Sequence, residues 1–267
     1  MNIVVCVKHV PDATADRQFE ADGTVDRAGV DGLLSELDEY AVEQALQIKE
    51  GAAEGADVTV TVLSVGPEQA TDAIRKALQM GADQGVHVVD DAIAGSDAPA
   101  TSLVLARAIE KIGSDSSWDL VMCGMASTDG GMSVLPAMLA ERLGVPQVTM
   151  GSEVTVEGST VRIRRDGDTA TQTVEGSLPL VASVTDQSGE ARYPSFKGIM
   201  AAKKKPVETW SLADLGVDAG QVGLAAAWTS VESTEARPPR SQGEIVTDED
   251  GSGAKALVDF LASKKFI

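Results

Sequence analysis

Along the first half of the chain, short runs of β-branched and aliphatic residues take turns with stretches whose apolar positions recur every three or four residues. Asn2–Val7 is a β-branched run closed by Lys8-His9-Val10-Pro11-Asp12, the pattern of a buried strand followed by a proline-marked loop. Asp57–Val65 alternates and stops at Gly66-Pro67, after which Ala70, Ala73, Ile74, Ala77 and Leu78 fall on one helical stripe. Gly85–Val89 predicts a strand, and Leu105, Ala108, Ile109 and Ile112 mark a helix face. Leu120–Gly124 predicts a further strand that feeds a helix over Val134–Leu143. Between the first two strands an extra helix, Glu36–Lys49, carries Leu37, Ala41, Ala45 and Ile48 on one stripe. Strand and helix in turn predict an α/β fold: an open, mainly parallel sheet with right-handed crossovers and helices on both faces.

After Gly144-Val145-Pro146 the period shortens. Ser152–Glu157, Thr160–Arg165 and Thr169–Glu175 read as strands joined by Gly-containing turns, Glu157-Gly158 and Asp166-Gly167-Asp168, and predict a small antiparallel insertion over about 152–175. Leu180–Val184 reads as a buried strand returning to the main sheet, and from Ala191 onward the pattern is irregular. Ala219–Gly253 is rich in Gly, Pro, Ser and acids, and Ala254–Lys264 regains helical spacing through Leu257, Val258 and Leu261. The expected organisation is an α/β domain over 1–218 and an extended arm over 219–267, whose terminal helix docks in cis or on a partner.

Composition narrows the function classes. With 267 residues, 43% hydrophobic and 24% charged, the chain has the material for a sizeable core and is not a wholly disordered one. Twenty-two basic against 41 acidic residues leave a formal charge of −19, which repels nucleic acid and anionic membrane surfaces. Only 3 Trp, 2 Tyr and 4 Phe are present, too few for base-stacking platforms, so the interior must be aliphatic. Cys6 and Cys123 sit in apolar runs and behave as small hydrophobes, which suits a reducing compartment. Met1–Lys8 is too short for a signal h-region and no run reaches the ~18 residues of a membrane span, so a soluble cytoplasmic protein is expected.

No P-loop, no GxGxxG and no metal-spaced Cys/His set occurs. His9 follows strand one at its carboxyl end, where open α/β sheets bind ligands, but it reads equally as a solvated loop histidine; His87, inside a strand, reads as structural. Thr128-Asp129-Gly130-Gly131-Met132-Ser133 joins a strand to a helix, so free amides and the helix dipole should converge there on an anion. Ser133 is placed to cap that helix, with Pro136 tolerated in its first turn; a plain flexible turn is the alternative. Arg192-Tyr193-Pro194-Ser195-Phe196-Lys197-Gly198-Ile199-Met200 sets aromatics beside the basic run Lys203-Lys204-Lys205. That composition suits a protein-docking loop, unless Tyr193 and Phe196 only cover the sheet edge.

Several segments in order, Val7–Asp12, Glu39–Ala45, Ala77–Asp83, Leu143–Gln147, Leu178-Pro179, Arg192–Lys205 and Asp214–Asp218, resemble the β subunit of electron transfer flavoprotein, over about residues 2–217. The resemblance implies a non-catalytic electron-carrier subunit with an adenine-nucleotide-hydrolase-like fold. It also implies a heterodimer in which the α subunit holds most of the FAD and the β subunit buries an AMP. By position, the family's AMP contacts fall on Cys6, on Ser35, Leu37 and Asp38, on Val65 and Gly66, and on Gly124 with Asp129, Gly130, Gly131, Met132, Ser133, Val134 and Leu135. Its recognition loop falls on Tyr193, Pro194, Ser195, Phe196, Lys197, Gly198, Ile199 and Met200, with Phe196 where a leucine is common. Ser35-Glu36 replaces the family's Asn-Pro, and Ser133-Val134-Leu135 replaces its Asn/Gln-Thr-Gly, so fewer side chains reach a phosphate.

The partners this implies are the α subunit, acyl-CoA and other dehydrogenases and a quinone oxidoreductase, in fatty acid oxidation feeding the respiratory chain. Two readings compete with it. One is an electron-bifurcating member with a second FAD in place of AMP; the other is a universal-stress-like nucleotide-binding protein, which needs neither the insertion nor the arm. A nucleotide hydrolase or ligase on the same fold would carry a Ser-Gly-Gly-x-Asp-Ser loop that residues 128–133 do not match.

Overall fold

The computed structural model describes all residues except Arg17, Ala236, Arg237, Pro239, Arg240, Ser241, Gln242, Glu244, Glu249, Asp250 and the side chain of Asp115. Residues at ten of those positions, nine of them in the Gly/Pro/Ser-rich part of the expected arm, therefore lie outside the described residues. Two compact units are formed, Met1–Glu232 and Ser233–Ile267.

In chain order the first unit contains β1 (Asn2–Cys6), β2 (His9–Pro11), β3 (Gly32–Leu34), α1 (Glu36–Glu50), β4 (Thr59–Val65), α2 (Thr71–Met80), β5 (Gln84–Val88), α3 (Ala98–Asp115) and β6 (Leu120–Gly124). It continues with α4 (Leu135–Leu143), β7 (Gln147–Gly151), β8 (Glu153–Glu157), β9 (Thr160–Asp166), β10 (Thr171–Ser177), β11 (Leu180–Val184), α5 (Phe196–Ala202) and β12 (Val207–Trp210). Seven strands form one sheet in the order β12-β5-β4-β1-β6-β11-β7, every neighbouring pair parallel. Their near-continuous apolar runs follow from burial on both faces. Ile3, Val5, Val60, Val62, Leu120 and Met122 face Ala41, Ala45, Ile74 and Leu78 of α1 and α2. The alternate residues Val4, Leu63, Val86 and Val121 face Val104, Ala108, Ile109 and Leu139 of α3 and α4. The predicted α/β class and the antiparallel insertion, β10-β9-β8, are as expected.

Four features differ from the sequence expectation. The Lys8–Asp12 stretch is not all loop: His9–Pro11 pairs antiparallel with Gly32–Leu34. Gln147–Gly151 is a main-sheet strand beside β11; it lies at the sheet edge with polar Gln147 and Thr149 and directly after Pro146, and so lacks the apolar run of the inner strands. The chain after Ala191 is not irregular throughout, since α5 forms there and β12 extends the sheet with Val207 opposite Gly85 and Trp210 opposite Val88. A four-residue edge strand is too short to show a period. Ser133 does not cap α4: it takes a left-handed φ of 56°, the capping position is Val134, and no side chain bonds the first turn.

Residues 219–232 pack on the α/β unit. Val222 is buried, the Gly223 amide donates to Ser96 Oγ at 2.7 Å, and the Trp228 amide donates to Asp97 Oδ2 at 2.7 Å. The second unit contains α6 (Ser252–Ser263), whose Leu257, Val258 and Phe260 are exposed. Among the described residues, no helix is long and apolar enough to cross a membrane.

Candidate functional site

After β1 the chain lays β4 and β5 on one side and then returns to place β6 on the other. The carboxyl ends of β1 and β6 therefore flank a topological switch point, where sheets of this kind bind ligands. Cys6 ends β1, Gly124 ends β6, and Val65 with Gly66 closes β4, the other neighbour of β1. The N-terminus of α1 seals this edge. It reaches there because Gly124 has no side chain: a Cβ would lie 2.6 Å from both the Leu37 carbonyl oxygen and Asp38 Oδ1. The Ser35 amide donates to the Lys8 carbonyl at 2.9 Å and the Lys8 amide donates to Asp38 Oδ2 at 2.9 Å, tying the same helix end to the loop after β1. The structure thus brings Cys6, Ser35, Leu37, Asp38 and Gly124 to one place.

Two carboxyl groups there have opposite fates. Burial pushes Asp38 up to about 7, against the Lys8 amide and ammonium, which favour its charged form, and with the nearby Asp129 charge opposing it further. Burial also works against charge on Asp129, but it is outweighed: Lys8 Nζ at 2.9 Å and Arg27 at 2.6 Å hold that carboxyl far below the usual range, with its side chain 2% exposed. Two cations around one carboxylate leave a local positive surplus at the mouth of the site in a chain of charge −19.

The Asp38 shift has a measurable consequence. Between the ordinary carboxylate value near 4 and about 7, the unfolded chain is ionised at this residue while the folded chain keeps its proton. Unfolding then releases a proton, so stability falls as pH rises through that window, by up to roughly 4 kcal/mol, and levels above it. Asp38→Asn, which cannot ionise, is expected to remove this slope: the wild-type minus variant difference in thermal midpoint shrinks steadily from pH 4.5 to 7. A difference that does not change with pH would assign the proton to another group.

The loop after β6 supplies donors. Gly131 has φ 61° and nothing within 4 Å of where its Cβ would stand, so the backbone there is open to approach. Its own amide donates to the Ser127 carbonyl, whereas those of Met132, Ser133 and Val134 donate to no backbone carbonyl among the described residues. With the first amides of α4 they form a set of N–H groups at a positive helix end, the arrangement that binds phosphates. Gly130, Gly131, Met132 and Ser133 are exposed on the rim, and Val134 and Leu135 are half-buried. Ser35 Oγ and Ser64 Oγ are buried and have no hydrogen-bond partner among the described residues. Orphaned hydroxyls at a ligand-binding edge fit a polar occupant such as a nucleotide.

The histidines do not join this chemistry. His87 is held on both ring nitrogens, by Thr71 Oγ1 and the Gly66 carbonyl, each at 3.1 Å, and fixes the turn after β4. His9 lies in β2 against Gly32, and its half-burial lowers its pKa. Cys6 ends β1 and Cys123 lies within the neighbouring β6, both as free thiols; the hydrogen bond between them and then burial push Cys123 well above its ordinary value, which keeps it an unreactive thiol.

A separate surface surrounds α5. Tyr193 is 91% and Phe196 81% exposed, so neither covers the sheet edge. Ser195 caps the helix, its Oγ accepting from the Gly198 amide at 3.0 Å. Gly198 lets α5 lie on the end of α2, since a Cβ there would stand 2.5 Å from the Gln79 carbonyl oxygen. Lys205 Nζ donates to the Leu78 carbonyl at 2.9 Å, a cation on the last turn of α2. The segment is therefore a rigid support for outward-facing aromatics.

Sequence reading did not single out Lys8 and Arg27 as site residues. Lys8 opens the proline-marked segment Lys8–Asp12, where a lone lysine reads as solvated. Arg27 lies in an aperiodic loop 102 residues from Asp129, a separation that carries no local signal.

Comparison with known proteins matches residues 22–215 to the electron transfer flavoprotein domain. A Mycobacterium tuberculosis protein, electron transfer flavoprotein subunit beta, is 47% identical over 100% of this chain and 99% of its own length. A Megasphaera elsdenii protein of the same description is 34% identical over 99% of this chain and 97% of its own. Subunit CarD of the caffeyl-CoA reductase-Etf complex of Acetobacterium woodii is 33% identical over 99% and 97%.

Proposed function

The chain belongs to the electron transfer flavoprotein β-subunit family, electron-carrier subunits rather than enzymes, and from that premise we propose that it pairs with an α subunit to carry electrons from dehydrogenases, acyl-CoA dehydrogenases among them, through a quinone oxidoreductase towards the respiratory chain. FAD, held mostly by the α partner, supplies the electron-carrying chemistry. This chain's residues bind and orient. AMP sits structurally at the switch point, its phosphate on the free amides of residues 132–135 and near Lys8 and Arg27, its nucleoside towards Cys6, Ser35, Leu37, Asp38, Val65 and Gly124. Tyr193–Met200 docks the dehydrogenase, and the arm with α6 lies on the α subunit. The working compartment is the cytoplasm.

The observation that carries the nucleotide reading is the orphaned Ser35 hydroxyl, buried where free amides and two cations converge on the edge of a parallel sheet. Coexpression with the α subunit should yield a 1:1 complex from which one FAD and one AMP are extracted. Two FAD and no AMP would replace this reading by the bifurcating one, and stoichiometric FAD on this chain alone would overturn the division of labour. Gly131→Asp puts a carboxylate among the amides at a φ that Asp tolerates better than most residues. The variant complex should lose AMP and keep its FAD; unchanged AMP would move the phosphate elsewhere.

A further inference from the structure

We propose that Arg192 is the positioning residue of the docking loop, clasping α1 so that Tyr193 and Phe196 are presented in a fixed place; this rests on the docking role given above to Tyr193–Met200. The guanidinium binds two carboxylates of α1 at once. Nε and Nη2 donate to Glu43 at 2.6 and 2.9 Å, and Nη2 also reaches Glu50 Oε2 at 2.9 Å with Nη1 on Oε1. The Arg192 amide adds a contact to Glu43 Oε2 at 3.2 Å. Glu43 is buried and is steadied from behind by Gln47 Nε2 at 3.0 Å, while Gln44 Nε2 holds the Ser188 carbonyl at 2.8 Å just upstream. The loop is thus fastened on α1 one residue before Tyr193 and on α2 through Gly198 and Lys205.

Neither fastening touches the exposed aromatic faces, so the clasp acts by ordering. A loop released at one end must be ordered again each time a partner docks, and fixing one or two residues on docking weakens binding about tenfold. Lysine cannot replace the fork, because one ammonium cannot grip two carboxylates in plane.

The test uses the heterodimer in a coupled assay with a purified acyl-CoA dehydrogenase and a dye acceptor, comparing Arg192→Ala, Arg192→Lys, Glu50→Gln and Phe196→Ala. Arg192→Ala should raise the KM for the flavoprotein about tenfold, with kcat and FAD content kept and amide exchange over 193–200 faster; Arg192→Lys and Glu50→Gln should move KM the same way by less. An unchanged KM for Arg192→Ala beside a raised one for Phe196→Ala overturns the positioning role and leaves docking standing. An unchanged KM for both rejects the docking reading and this inference with it. If Arg192→Ala fails to fold because Glu43 is left buried and unpaired, Glu50→Gln decides: a raised KM supports the clasp and an unchanged one overturns it.

Discussion

Phe196→Ala is expected to raise the KM for the flavoprotein in a dehydrogenase-coupled assay by well over tenfold and to leave thermal midpoint and flavin content where they were. The two halves of that expectation have separate causes. Phe196 is the first residue of α5 and is 81% exposed, so its ring contributes almost nothing to this chain's own core and its removal falls in the range of surface substitutions, within about 0.5 kcal/mol. On docking, the same ring is the largest apolar group on a segment whose backbone is already fixed by the Ser195 cap and the Gly198 contact with α2. Truncating a buried interface aromatic costs on the order of 2–4 kcal/mol, and each 1.4 kcal/mol is about a factor of ten where KM tracks affinity. The rate at saturating flavoprotein should fall less than affinity, since the ring anchors the partner and takes no part in electron transfer. Loss of fold or flavin with affinity intact would make Phe196 a core residue and remove the docking assignment.

Much of this was legible beforehand for a physical reason. Strands buried on both faces, such as Asn2–Cys6 and Leu120–Gly124, must be apolar throughout, and helices covering them must carry a stripe, so both leave strong periodic signals. Their alternation gave the parallel sheet, and the sheet gave the switch point at the carboxyl ends of β1 and β6. What escaped reading was at an edge or non-local. β12 and β7 are the two edge strands of the sheet and keep exposed polar residues, Glu208 and Gln147 among them, so neither shows the apolar run of the inner strands. Ser133 looked like a cap because its residue type suits one, yet two left-handed residues, Gly131 and Ser133, turn the loop so that Val134 takes the position. The charge balance around Asp129 depends on Lys8 and Arg27, 121 and 102 residues away, and no local pattern encodes it. The resemblance supplied site positions that composition could not; the fold brings Cys6, Ser35, Leu37, Asp38 and Gly124 to one end of the sheet and sets Tyr193–Met200 on a separate surface.

Gly124→Ala carries the largest expected effect on the site, although it adds one methyl group and Gly124 does not have a left-handed φ. The new Cβ would stand 2.6 Å from Asp38 Oδ1 and from the Leu37 carbonyl oxygen, and 2.9 Å from the Leu37 carbonyl carbon. A side-chain oxygen can swing away, but the carbonyl belongs to the first turn of α1 and moves only with the helix. That helix end is also held by the Lys8 amide on Asp38 and the Ser35 amide on the Lys8 carbonyl, so relief of the clash strains or breaks those bonds too. Overpacking of this kind costs about 1–3 kcal/mol, which for a chain of this size is roughly 3–10 °C in thermal midpoint. The nucleotide should suffer more than the fold, because α1 lifting from β6 displaces Ser35, Leu37 and Asp38 together, and the purified complex is expected to retain well under half of its AMP. Gly158→Ala, in the turn between β8 and β9, is the matching control: it faces open space at φ 60°, so it should cost only the backbone term of about 1 kcal/mol. If Gly124→Ala keeps its full nucleotide and a midpoint equal to that of Gly158→Ala, the contact between α1 and the end of β6 is not what builds the pocket.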